Sequence, residues 1–418
     1  MRPIFNILLP VLLTPLAALQ AADAPQHAPA SRVMLSGPWV PENPHQLDFA
    51  SLPKVPSEHA VVSDVRDPRS SETVAKPNTQ PPLLKYGGCN NHSYLAHHDG
   101  QFWAMWSDGP VVEDNVGQVV KFSTSPDALT WSEPALLTPY PPGSAPGSPH
   151  YGARTAEGLR WIARGFWQRD GDLLALAALD EAGEFFGKSL ALHAFRWEGK
   201  ERGWVDRGVI LDDAINNFPP QKLPNGDWMM SRRRHDYRKR GVDFAVGGVT
   251  ALDAWESFPV LGSSSGLRAE EPDWWVLPDG NLCGLFRDNQ KRGFLYRSFS
   301  TDSGRTWSPP VQTNFPDATS KVRGLRVSDG RYVLVSNPDP KKREPLTLAI
   351  SDDGLVFTKM LCLVGGRRAE YPHVIEHDGS LFIAFSGGKM TMEVLKVKLA
   401  DVDAVKMPEQ PLIATPKP

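Results

Sequence analysis

The chain has 418 residues, 45 Lys and Arg against 48 Asp and Glu, and a net charge of −3. So even a balance excludes a global field drawing the protein to nucleic acid or an anionic membrane, and any recognition of charge has to be local. Cys89, Cys283 and Cys362 lack metal-ligand spacing and permit at most one internal disulfide, so stability must come from a core, which 13 Trp and many Val, Leu and Phe can build.

Met1-Arg2-Pro3 followed by an apolar run from Ile4 to Leu19, with small residues at Ala18, Ala21 and Ala22, has the charged start and short apolar centre of a secretory signal. Cleavage is expected near Ala21 or Ala22, giving residues 1–22 as signal and a secreted or periplasmic mature protein. The run is too short for a permanent membrane span, and no later stretch is long and apolar enough for one. Residues 23–82 are rich in Pro, Ser and Ala, with short β-like pieces such as His59-Ala60-Val61-Val62, and read as a linker followed by a strand or two laid on the main body. Residues 83–405 are the main domain and 406–418 a tail.

Within that domain a turn dipeptide followed by an apolar run recurs at Asp99-Gly100, Asp170-Gly171, Asn225-Gly226, Asp279-Gly280, Asp329-Gly330 and Asp378-Gly379. Asn or Asp before Gly tolerates the two positive φ angles of a type I′ turn, so each copy predicts a β-hairpin. The spacings of 71, 55, 54, 50 and 49 residues suit one four-stranded blade each. The pattern predicts an all-β, six-bladed propeller; a β-sandwich would turn over faster. Residues 180–187 read as one short helix or an extended loop.

A second element repeats. Ser300-Thr301-Asp302-Ser303-Gly304-Arg305-Thr306-Trp307 is a full S-x-D-x-G-x-T-W box, Ser125-Pro126-Asp127-Ala128-Leu129-Thr130-Trp131 a shortened copy, and Ser351-Asp352-Asp353-Gly354-Leu355-Val356-Phe357 a degenerate one. In each, Asp accepts turn backbone hydrogens and the aromatic packs between strands. These are structural staples.

With such boxes the chain resembles the sialidase (neuraminidase) superfamily, from about Tyr86 to Val397 and most closely from Arg268 onward. Glu270-Glu271-Pro272-Asp273-Trp274-Trp275, ending at Arg287, is similar to the family strand that starts at the catalytic glutamate and ends at a substrate-binding arginine, with Glu271 the better match. Val335-Ser336-Asn337-Pro338 and then Arg343 resemble the stretch carrying the next arginine, Tyr371-Pro372-His373 the nucleophilic tyrosine segment, and Asp114, beside Glu113, the acid/base aspartate. The resemblance implies a metal-free, cofactor-free exo-glycosidase acting with retention on a carbohydrate or glycoconjugate. Tyr371, Glu271 and Asp114 would be catalytic, and Arg287 and Arg343 would bind carboxylate.

One motif departs from the family. Where an aromatic-Arg-Ile-Pro motif would supply the first arginine, the chain reads Cys89-Asn90-Asn91-His92-Ser93-Tyr94, placing Asn91 and His92 at the substrate. Either another basic side chain fills the role, Arg232-Arg233-Arg234-His235 being the candidate loop against the plainer reading of a solvated turn, or the substrate is not a standard sialic acid. The departure leaves two alternatives open. His92 with Tyr151 and Arg164 is similar in order to the His/Tyr/Arg sets of propeller polysaccharide lyases and rhamnose-uronate enzymes, and a carbohydrate-binding propeller without turnover is the other.

Overall fold

The computed structural model describes residues 31–66, 88–183, 185–261 and 266–414. The expected signal (1–22) lies outside them, as do residues 67–87 and 415–418. After β1 (Glu58–Asp64) the chain forms β2 (Cys89–His98), β3 (Gln101–Gly109), β4 (Val119–Ser125) and β5 (Ala135–Leu136), then β6 (Leu159–Arg169), β7 (Asp172–Glu181), β8 (Ala191–Trp197) and β9 (Trp204–Asp212). There follow β10 (Gln221–Lys222), β11 (Trp228–Arg232), β12 (Val242–Gly247), β13 (Trp255–Leu261), β14 (Ala269–Val276), β15 (Leu282–Asp288), β16 (Phe294–Ser300) and β17 (Val311–Pro316). The last are β18 (Arg323–Arg326), β19 (Tyr332–Ser336), β20 (Leu346–Ser351), β21 (Phe357–Val364), β22 (Ala369–His377), β23 (Ser380–Gly387) and β24 (Thr391–Lys398), with α-helices among the described residues only at α1 (Tyr237–Arg240) and α2 (Leu399–Ala404) and single 3-10 turns at Pro44–Gln46 and Phe49–Ser51.

These strands make six four-stranded antiparallel sheets in a ring, a six-bladed propeller. The sixth sheet runs β22-β23-β24-β1, so the N-terminal strand completes the last blade. Closure leaves only short protected edges. His59 of β1 bonds Glu393 of β24 at 2.7 Å, and Arg367 holds the same carboxylate.

All six turn dipeptides join the first strand of a blade to the second, but by two geometries. Asp99-Gly100, Asp170-Gly171 and Asp378-Gly379 have positive φ at both residues, as a type I′ turn requires. At the other three only Gly226, Gly280 and Gly330 are left-handed, and Leu223, Leu277 and Val327 bond across to Asp227, Asn281 and Arg331. There Pro224, Pro278 or Ser328 precedes the dipeptide, favouring a type I turn closed by a left-handed glycine. The expected type I′ turn thus holds for half the copies.

The boxes close the turns between third and fourth strands. Asp302 accepts the Arg305 and Thr306 N–H groups at 3.1 and 2.8 Å, and the Trp307 indole donates to the Gly304 carbonyl at 2.9 Å. Where Phe357 replaces the Trp, that carbonyl, Gly354 O, takes the Trp275 indole of the neighbouring blade at 3.1 Å. Trp255 bonds Leu252 O at 2.6 Å in the same way, a degenerate box the sequence reading missed.

The core is continuous between blades. Tyr94, Trp103, Met105 and Val120 of the first blade pack on Trp161, Phe166 and Phe195 of the second, while Leu348, Leu361, Val374, Ile383 and Leu395 join the fifth to the sixth. Part of the expected linker belongs to this core, since Met34, Leu35, Trp39, Leu47, Phe49 and Leu52 pack with Phe315, Phe357 and Met360. Trp39 is wholly buried and its indole donates to Thr358 O at 2.9 Å. These anchors fall irregularly among prolines, so no periodicity announces them. Residues 180–187 hold no helix among those described: Asp180 and Glu181 end β7 and the remainder is loop. All three cysteines are free and buried, and burial pushes the Cys283 thiol up to about 12.

Candidate functional site

Four innermost strands lose register at the same level. The shifts fall between Asn91 and Tyr94 in β2, Ala163 and Gly165 in β6, Glu270 and Asp273 in β14, and Glu370 and His373 in β22. Each carries one left-handed residue, respectively His92 (φ 54°), Gly165 (102°), Glu271 (44°) and Tyr371 (58°). A bulge re-aims a side chain without breaking the strand. Holding a non-glycine residue there costs about 1–2 kcal/mol, a strain that gathers at functional sites, and three residues singled out from sequence bear it.

Tyr371 is buried. The His92 ring stands edge-on to it with centroids 5.2 Å apart, and the Arg343 guanidinium and Lys389 ammonium lie 5.4 and 5.7 Å from its ring centre. Arg287 pairs with both Glu270 and Glu271 at 2.7 Å, Arg343 pairs with Glu370, and both arginines donate to Thr319 O. Burial pushes the Glu271 carboxyl up, but Arg287, Arg233, Lys321 and Arg343 together outweigh it and hold the group at about 2. Burial, with the charges of Glu271 and Glu113, drives the Tyr371 phenol well above its ordinary value. The site therefore joins an ionised carboxylate to a neutral phenol.

Asp114 faces elsewhere. Its φ of 71° turns the chain so that its carboxylate meets Arg160 at 2.7 Å, and Arg160 also binds Asp180 at 2.9 Å. The preceding Glu113 points to the axis instead, bonding Asn91 and Lys389 and lying 3.5 Å from His92. Burial and the nearby Asp114 charge raise the Glu113 carboxyl, with Lys389 opposing. The carboxylate beside Tyr371 is thus one residue earlier than the sequence comparison suggested.

His92 bonds Ser107 at 3.2 Å, and burial followed by the charges of Arg164, Lys321, Lys389 and Arg233 keeps its imidazole neutral. Tyr151 packs on Gly117, where an added Cβ would fall 2.4 Å from its ring, so the His92 ring contact is Tyr371 rather than Tyr151. Arg164 does reach the axis, where its charge acts on His92 and Tyr94. From the basic loop, Arg233 is only 3% exposed and acts on Glu271, whereas Arg234 pairs with Asp243 nearer the surface; a solvated turn does not describe Arg233. Lys321, Lys389, Tyr94 and Glu113 joined the cluster without being picked out in the sequence. For metals, Asp213, His235 and Asp236 bring three ligand atoms within 4.8 Å of one another, yet Asp213 already accepts from the His235 backbone and contacts its ring.

The BNR repeat-like domain matches residues 215–383. No curated protein matches the sequence. Among solved structures, one described as a sialidase superposes with a TM-score of 0.58 at 20% identity over 88% of this chain, which spans only 35% of that one. The intramolecular trans-sialidase from Ruminococcus gnavus gives 0.63 at 11% identity, covering 83% of this chain and 99% of its own, and the leech intramolecular trans-sialidase 0.62 at 12%, covering 83% and 71%. At these identities the likeness is one of fold. With the ring of blades and the boxes already described, the chain is a six-bladed propeller that carries a BNR repeat-like domain and shares its fold with these sialidase structures.

Proposed function

We propose that the chain is an exported, exo-acting glycoside hydrolase that releases a terminal anionic sugar, sialic acid or a relative, with retention. The observation that carries this reading is the bulged Tyr371, buried in the field of Glu271 and Glu113 and flanked by Arg343. A carboxylate on the anomeric carbon would repel an anionic nucleophile, whereas a neutral phenol beside a base can approach. Glu271 accepts the phenol proton as the oxygen bonds the anomeric carbon, Glu113 protonates the departing oxygen, and Glu113 then activates water to release the sugar.

Arg287 and Arg343 bind the sugar carboxylate. Arg287 couples binding to base strength, because it already neutralises Glu271. Once a substrate anion shares that guanidinium, Glu271 becomes more basic and can take the tyrosine proton.

The test is hydrolysis of an aryl α-glycoside of N-acetylneuraminic acid by wild type and Tyr371→Phe. Release should be abolished in the variant, and mass spectrometry of wild type treated with a fluorinated glycosyl fluoride should place a sugar adduct on Tyr371. Binding without release by the wild type would leave only the carbohydrate-binding role, and an unsaturated uronate product lost on His92→Ala would replace hydrolysis with elimination.

A further inference from the structure

Three further basic side chains lie at the axis without a carboxylate within ion-pair distance among the described residues, and burial pushes the Lys321 ammonium well below its ordinary value. Arg164, Arg233 and Lys321 are 2%, 3% and 0% exposed, and none takes part in a salt bridge among the described residues. Lys321 Nζ reaches the Tyr94 hydroxyl at 2.9 Å and the Asn217 carbonyl at 3.2 Å, over the faces of Tyr94 and Phe218. Arg164 Nε and Nη1 and Arg233 Nε are buried and have no hydrogen-bond partner. Guanidinium N–H groups buried in this way are costly, and an anion seated between them removes the cost.

The two sets of cations come from different parts of the ring. Arg287 and Arg343 belong to the fourth and fifth blades. Arg164 sits on the inner strand of the second, and Arg233, whose backbone pairs with Ile215, on the third. Glu271 lies between them, paired with Arg287 and tied through its carbonyl to Asn217. The carboxylate assigned to Arg287 and Arg343 does not engage the second set, of which Arg233 and Lys321 act on Glu271 only through their charge.

The geometry points to a second oxyanion pocket, formed by Arg164 and Arg233 over Lys321, that takes a further acidic group of the substrate. This deepens the proposed function, on which it rests, by making the preferred sugar doubly anionic, its second group a sulfate ester or another carboxylate. A guanidinium fork suits either oxyanion. The missing first arginine is then part of a specificity change, with the lost charge replaced by a pocket on the neighbouring blades.

The experiment is calorimetric titration of the full chain with inorganic sulfate, with acetate, and with free N-acetylneuraminic acid, for wild type, Arg164→Met and Arg343→Met. Arg164→Met should weaken the small oxyanion at least about tenfold, as expected for one charge-assisted hydrogen bond, and should change the monoanionic sugar less than about threefold. Arg343→Met should do the reverse. Preference for sulfate over acetate would assign a sulfate ester, and the opposite preference a carboxylate. Undetectable binding of both small anions by wild type, or an Arg164→Met variant that binds them normally or loses the sugar equally, would overturn the pocket. If Arg164→Met does not fold, Lys321→Met carries the same comparison. None of these readouts needs turnover, so an inactive enzyme would sink the hydrolase reading while leaving the pocket to be judged separately.

Discussion

Exchanging Glu113 for Gln keeps the side-chain volume and an acceptor for Asn91, but removes the transferable proton and the Lys389 ion pair. General acid catalysis is worth roughly 10²–10⁴-fold, or about 3–5 kcal/mol of barrier. That loss should appear in full on an alkyl glycoside, whose departing oxygen needs a proton, and shrink on a nitrophenyl glycoside, whose leaving group does not. Asp114→Asn should behave differently, because Asp114 holds Arg160, which keeps Asp180 as a second partner. Its cost should be about 1–2 kcal/mol of stability, from one partly exposed partner of a buried arginine, with kcat within about threefold of wild type. Asp114 also raises the Glu113 carboxyl, so removing its charge should move the alkaline limb of kcat/KM to lower pH, whereas Glu113→Gln should abolish that limb. Steady-state kinetics on both glycosides between pH 4 and pH 9, with urea denaturation alongside, measure all of this. A larger loss from Asp114→Asn than from Glu113→Gln on the alkyl glycoside, or equal losses from Glu113→Gln on both substrates, would refute the assignment.

The closing blade should show its own acid dependence. Although burial pushes the Glu393 carboxyl up, hydrogen bonds from His59, Arg367 and Thr391 hold it at about 2 against an ordinary 4.5. Its folded-state value is depressed, so the stabilisation is present above the unfolded value and is lost as pH falls from about 4.5 towards 2. It amounts to about 3 kcal/mol near neutrality and less than half of that at pH 3. Urea midpoints of wild type and Glu393→Gln should therefore converge on acidification, and a constant gap would show that the ionised carboxylate is not what clamps β1. Asp302→Ala removes acceptors for two backbone N–H groups and two hydroxyls at the rim of the fourth blade. It should lower the unfolding free energy measured in urea by about 2 kcal/mol while leaving kcat within twofold, and a large change in kcat would mean that the boxes do more than staple strands.

The architecture was legible because a propeller repeats its signals. Six turn dipeptides mark six first hairpins, and the long first spacing is taken up by the loop between β5 and β6. Turn type was also readable, in the residue before each dipeptide, but only once Pro224 and Pro278 are given weight. The site was legible where a residue lies at a fixed distance from a turn. His92 and Tyr371 precede Asp99 and Asp378 by seven residues, and Glu271 precedes Asp279 by eight. The same count of eight leads from Asp329 to Lys321 and from Asn225 to Asn217, both at the axis, and would have found them without any resemblance. The choice between Glu113 and Asp114 was not legible. It depends on a left-handed φ in a connecting loop, where no periodicity fixes which of two neighbouring carboxylates turns inward.

The electrostatics of the axis make the ligand part of the structure. Arg164, Arg233, Arg287, Lys321, Arg343 and Lys389 converge there, and Glu113, Glu270, Glu271 and Glu370 face them. A buried excess of positive charge is a cost the empty protein bears in its stability, and it is relieved only by something anionic entering from outside. The same excess holds Glu271 at about 2, too acidic to take a tyrosine proton readily. Binding an anion therefore does two things with one charge: it stabilises the ring and it raises the basicity of Glu271. A neutral sugar of the same shape would do neither, so the proposed function expects selectivity for acidic sugars from the energetics of the axis as well as from the two arginines.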